Sequence, residues 1–246
     1  MERLVPAHRG EVVVSHSSAA LTDTDWHWRG RNLMKLGEPE EAIACFDLAL
    51  KMNSGDVFLW LDKGEALVAL GRCEEAIRCY DQALFIEPGY GLLWFHKGRA
   101  LDVVGRPEEA ISCYEQAVQI DPGDSFCWFH RGNALAGLGR FHEAISCYEQ
   151  ALQADPRYAD ACMRKAAALV ALGEPEEAIS CYDEVLEIAP YYCTAWREKA
   201  LALRAMGRPV DERAAWRGYL EGARWHASER QWVAQAEARL RELQGR

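Results

Sequence analysis

The chain of 246 residues is half hydrophobic and 27% charged, enough apolar material for a sizeable core and unlike a disordered acidic tail. Its 38 acidic and 28 basic residues give a formal charge of −10, which argues against nucleic acid as a partner, since a phosphate backbone calls for a basic face. No apolar run approaches the ~18 to 20 residues of a membrane span, and no N-terminal apolar stretch ends in a small-residue cleavage site, so a cytoplasmic protein without a membrane partner is expected.

Residues 1–22 carry Pro6, Gly10 and the run Ser15 to Ala20, with Val12, Val13 and Val14 as the one apolar cluster, and read as a flexible lead-in. From residue 23 the chain repeats itself. Cys45, Cys79, Cys113, Cys147 and Cys181 fall 34 residues apart, each followed by an aromatic residue. Trp26, Trp60, Trp94, Trp128 and Trp196 keep the same period, as do the glycines from Gly37 to Gly207 and the prolines from Pro88 to Pro190. The units are 23–56, 57–90, 91–124, 125–158 and 159–192, with a degenerate sixth over 193–226.

Each unit reads as two helices. In the second unit, Val57 to Leu70 spaces Trp60, Gly64, Leu67 and Gly71 at a helical period, and Gly71 ends the helix as a left-handed cap. Glu74 to Leu84 then forms a second amphipathic helix with acids in its first turn, where the helix dipole favours them, and Pro88 stops it. Pro107, Pro175 and Pro209 stand where that second helix begins in other units, a position at which the missing N–H has no intrahelical partner. Residues 227–246 leave the repeat, but Trp232, Val233, Ala236 and Leu240 still mark one helical face, which suits a C-terminal capping helix.

A 34-residue helix-turn-helix unit with W-x3-G, A-x3-Y and P resembles the tetratricopeptide repeat, with its W-x2-L-G-x2-Y, A-x3-F, P pattern. The likeness spans about residues 23–226. The leucine of the pattern is replaced by a base (Arg29 through Lys199) and its tyrosine by leucine (Leu33 through Leu203). The resemblance implies an all-α, right-handed superhelical solenoid with a concave and a convex surface, in which no unit buries its apolar face alone.

Catalytic and metal signatures are missing from the sequence: there is no nucleophile elbow, phosphate loop, H-E-x2-H or dinucleotide fingerprint, and no C-x2-C. Neither a catalytic residue, a metal site nor a cofactor is therefore expected. The cysteine ladder places neighbouring copies beyond disulfide reach, so free, buried thiols are expected. His96, His130 and Asp62 share one place in successive units and are read as flanking the groove rather than as metal ligands. The basic column from Arg29 to Lys199 is matched in period by Asp47, Asp81, Glu115, Glu149 and Asp183, which predicts an intramolecular ion-pair ladder.

On each first helix, the second, fifth, ninth, twelfth and thirteenth places fall on one arc opposite the Trp-Gly-Leu stripe. In the resembled family this arc lines the concave groove. Across units two to five it is mostly apolar, and the candidate partner-binding residues are Phe58, Leu61, Leu92, Phe95, Arg99, Phe126, Phe129, Asn133 and Met163, with Arg99 and Asn133 fixing register. Substituting Phe95 and Phe129 by glutamate is expected to spare the fold. Family members that bind acidic chaperone tails use lysine, asparagine and arginine here, a set this chain lacks at Asp62, Leu92 and His96. The sequence thus points to a non-catalytic interaction scaffold for an apolar peptide or helix of another protein, or alternatively to a self-assembling protein whose groove is a homo-oligomer interface. The lead-in segment is a third occupant, since 22 residues extended reach about 70 Å.

Overall fold

The computed structural model describes residues 21–223 and 229–244, which form thirteen α-helices and no strand among the described residues. Val12 to Val14 and most of the lead-in lie outside them. First helices are α1 (Asp23–Leu36), α3 (Val57–Ala69), α5 (Gly91–Val103), α7 (Ser125–Gly137), α9 (Ala159–Leu172) and α11 (Cys193–Ala205). They alternate with second helices α2 (Pro39–Met52), α4 (Cys73–Ile86), α6 (Pro107–Ile120), α8 (Phe141–Ala154), α10 (Pro175–Ile188) and α12 (Pro209–Ala223), and α13 (Arg230–Gln244) follows. Each helix packs mainly on its neighbours in sequence, which makes the molecule a solenoid. No described helix is long and apolar enough to cross a membrane.

The turn within each unit is set by one glycine. Gly71 adopts φ +73°, and the next amide, of Arg72, donates back to the Leu67 carbonyl at 2.9 Å, which satisfies an otherwise free helix-end acceptor. The same bond recurs from Arg106 to Leu101 and from Arg140 to Leu135, so the leucine column that replaces the family's tyrosine supplies the carbonyl at this turn. Between units the tryptophan column does the tying: the indole N–H of Trp60, Trp94 and Trp128 donates at 2.9 Å to the carbonyls of Ser54, Pro88 and Pro122.

Inside each of the first four units, an aromatic ring of the second helix packs against a glycine of the first. Tyr80, Tyr114 and Tyr148 are fully buried, and a Cβ on Gly98 or Gly132 would stand 2.7 or 2.6 Å from a ring carbon. The basic column pairs as its period predicts: Lys63 with Asp47 and Lys97 with Asp81 at 2.6 Å, Lys165 with Glu149 at 2.8 Å, Arg131 with Glu115 at 3.7 Å, and Lys199 with Asp183. Lys63, Lys97, Arg131 and Lys199 also lie over the tryptophan of their own helix, Lys97 at 5.5 Å from Trp94. The five laddered cysteines are buried beneath this layer, where burial raises the thiols of Cys79, Cys113 and Cys147 and leaves them poor nucleophiles.

Helix α13 is fastened to α12 by a buried ion pair. Glu212 is 1% exposed and accepts from Arg239 at 2.7 and 3.0 Å and from the Trp216 indole at 3.3 Å, while Ala236 and Leu243 bury against the array. Trp232 receives Arg197 over its ring at 4.7 Å.

Candidate functional site

The arc picked out from the sequence runs along the first helices, and the structure divides its residues by place. Second-place residues are exposed: Phe58 55%, Leu92 41% and Phe126 60%. Fifth-place residues are not. Phe95 and Phe129 are half-buried and pack on the core, and Met163 behaves likewise. Leu61 is a correction to the sequence reading, because at 6% exposure it belongs to the core. The physical reason is angular: the fifth place turns about 60° from the second, toward the neighbouring unit's first helix, and leucine is short enough to vanish between the two. Glutamate at Phe95 and Phe129 would accordingly place two carboxylates in core packing, so this pair should destabilise the fold rather than spare it.

The half-buried rings form a continuous aromatic floor. Phe95 meets His130 edge-on at 5.4 Å, His130 meets Phe129 at 5.5 Å, and Phe129 meets Tyr158 at 4.9 Å, which in turn contacts Phe126 at 5.4 Å. Tyr158 and its counterpart Tyr90, 6.0 Å from Phe58, were missed by the helical-arc reasoning because they precede their helices. A signal was present: Asp56 and Asp124 cap α3 and α7 at the same place, whereas Tyr90 and Tyr158 cap nothing and turn their rings onto second-place phenylalanines.

Polar groups interrupt the floor in fixed places. Arg99 is exposed and lies 5.8 Å over Phe95. Asn133 accepts from the Tyr148 hydroxyl at 3.0 Å, which orients its carboxamide. The row of Asp62, His96 and His130 separates into three environments. Asp62 binds His27 at 2.6 Å, His96 stands 3.4 Å from Glu65, and His130 stacks on Tyr114 at 6.0 Å. Among the described residues no three potential ligands gather to hold a metal ion. Burial and the Arg99 charge press the His96 imidazolium down to about 4, and the same causes lower His130, so both rings are neutral near pH 7. Burial and the Asp62 charge raise the Glu65 carboxyl.

Clefts open along this face between neighbouring first helices. One of about 260 Å³ between α3 and α5 reaches Tyr80, and one of about 460 Å³ between α7 and α9 has Asn133 and Arg164 at its edge. The surface is therefore a shallow aromatic trough with discrete side pockets and mixed charge, suited to a segment laid across several units.

Models of the tetratricopeptide repeat match the chain over residues 61–125 and 129–192, and a second model of that repeat matches 24–56. The chain belongs to the tetratricopeptide repeat family. Solved structures agree with the repeat architecture. MamA superposes with a TM-score of 0.66 at 23% identity, over 70% of this chain and 94% of that one. PilW, described as a type IV pilus biogenesis factor, gives 0.68 at 18% identity, over 86% and 98%. YrrB, described as a tetratricopeptide repeat protein with an unusual peptide-binding site, gives 0.62 at 25% identity, over 71% and 90%. No curated protein sequence matches the chain.

Proposed function

We propose that this tetratricopeptide repeat array is a non-catalytic interaction scaffold that binds an apolar-faced peptide or helix of another protein along the first helices. The observation that carries the reading is the exposure of Phe58, Leu92 and Phe126 in register, one unit apart, above a floor of half-buried rings. Exposed large apolar side chains at a regular interval over preorganised packing are the arrangement of binding hot spots, and repetition matches them to a partner that is itself periodic. Phe95, Phe129 and Met163 shape the floor, Arg99 and Asn133 set register, and Tyr90 and Tyr158 join the contact surface. The peptide-binding site described for YrrB supports a peptide as the partner class. In this reading residues 23–226 are the working array and α13 closes its C-terminal end.

Selection from a random dodecapeptide display library tests this directly. Phe58→Glu with Phe126→Glu changes only exposed rings, so it should keep the helical circular dichroism and lose the selected peptides; retention of those peptides would sink the reading. Self-assembly through the same rings is the second reading, since they form an apolar row on a free surface. Light scattering distinguishes the two: a monomer of 27.7 kDa leaves the face open to another chain, whereas a larger species dissolved by Phe126→Glu assigns it to a second copy.

A further inference from the structure

Tyr80, Tyr114 and Tyr148 hold one column of the repeat, each ring clamped on its glycine, so their hydroxyls are presented at equivalent depth below the inner face. Two of the three are satisfied within the chain. Tyr114 donates to Asp102 at 2.6 Å and Tyr148 to Asn133 at 3.0 Å. The Tyr80 hydroxyl is equally buried and has no hydrogen-bond partner. At the twelfth place, where Asp102 serves Tyr114, the second unit has Val68; at the ninth, where Asn133 serves Tyr148, it has Glu65, which stands instead 3.4 Å from His96. A buried donor left without an acceptor is costly, and such exceptions in a repeated motif mark a place where the acceptor comes from elsewhere.

Tyr80 lies at the bottom of the cleft of about 260 Å³ between α3 and α5. Val68, Ala69 and Val103 give the cleft apolar walls, while Glu65 and Arg99, both exposed, stand over its polar end. That end offers two donors, the Tyr80 hydroxyl and the Arg99 guanidinium, and one acceptor, the Glu65 carboxylate. His96 beside them is neutral, so the charges of Glu65 and Arg99 cancel. An anion entering here would face Glu65 and a cation would face Arg99. The complementary group is uncharged, presents an acceptor oxygen and an N–H donor side by side, and hangs on an apolar stem. A primary carboxamide has that form.

We propose that the α3–α5 cleft is a carboxamide pocket, taking an asparagine or glutamine side chain of the segment bound along the first helices. The Tyr80 hydroxyl is covered in the free chain, so the carboxamide displaces whatever covers it; its oxygen then accepts from the hydroxyl and its nitrogen donates to the Glu65 carboxylate. The pocket rests on the inner-face reading above and adds to it a residue class at one register position.

The test uses the full chain, ¹⁵N-labelled, titrated with propionamide and, in parallel, with propionate, propylammonium and N-methylacetamide. Propionamide should shift the amides around Glu65 and Arg99 saturably, with a dissociation constant in the millimolar range expected of so small a ligand. Tyr80→Phe, which loses no intramolecular hydrogen bond and keeps its ring on Gly64, should weaken it about tenfold. Three results would each overturn the proposal: no shift in the cleft, an unchanged affinity in Tyr80→Phe, or an equal or stronger response to either charged analogue or to the main-chain mimic N-methylacetamide. Because the probe is not a peptide, failure of the library selection with propionamide still bound removes the groove reading alone, and the reverse pattern removes the pocket alone.

Discussion

Removing one hydroxyl at a time from the tyrosine column separates packing from hydrogen bonding, because each substitution keeps a buried ring against its glycine and changes only what the oxygen met. Tyr148→Phe deletes a neutral bond of 3.0 Å to Asn133, a loss of about 1 kcal/mol. Tyr114→Phe deletes a 2.6 Å bond to a carboxylate and leaves the half-buried Asp102 unsupported, a loss of about 1.5 to 3 kcal/mol. Tyr80→Phe deletes a hydroxyl with no partner, so the change should lie between zero and a gain of about 1 kcal/mol. Urea denaturation at pH 7, monitored by circular dichroism with the slopes compared across variants, measures all three. The expected order of midpoints is Tyr80→Phe at or above wild type, then Tyr148→Phe, then Tyr114→Phe. A Tyr80→Phe midpoint as low as that of Tyr148→Phe would show that the Tyr80 hydroxyl is satisfied within the free chain, and the reasoning from its missing partner would fail.

Gly98→Ala should destabilise the array by about 1 to 3 kcal/mol in thermal melts despite alanine's better helix propensity, since the added carbon meets Tyr114 at 2.7 Å. Arg239→Met strands the Glu212 carboxylate, 1% exposed, and should cost about 3 to 5 kcal/mol, seen as fast hydrogen exchange throughout α13 while α1 to α10 stay protected. Acid should weaken the fold through His96. Its ring is held down to about 4 from 6.5, so between those values the unfolded chain binds a proton that the folded chain refuses, and stability falls by up to about 3 kcal/mol as pH drops through that window. Glu65, held above its usual range, opposes the trend near its lower end, because there the folded chain keeps a proton the unfolded chain releases. The melting temperature of His96→Gln should accordingly be flatter than wild type between pH 6.5 and 4.

Much of this architecture is legible in the sequence because a repeat writes each constraint several times. Gly37 through Gly207 mark positive φ, the Trp column marks the ties to the preceding loops, and the paired bases and acids mark a ladder whose period alone places it. The site is less legible, since it depends on angular differences that a helical wheel blurs. Phe58 and Leu61 share an arc of the wheel, yet one is exposed and the other lies between helices, because the neighbouring unit covers only one edge of that arc. Tyr90 and Tyr158 lie outside any wheel, in the residue before a helix, where a cap is the ordinary expectation. The unpartnered Tyr80 hydroxyl is invisible in its own column, where tyrosine recurs unchanged. Only the columns facing it, Val68 for Asp102 and Glu65 for Asn133, carry the difference, and which column matters is a three-dimensional fact.

The most direct measurement of the central claim is a hydrogen-exchange footprint of the full chain with its tightest library-selected dodecapeptide, compared with the free chain. Binding along the first helices predicts added protection in α3, α5 and α7 and in the segments around Tyr90 and Tyr158, with α4, α6 and α8 unchanged. Protection centred instead on the second helices, or confined to α12 and α13, would contradict it.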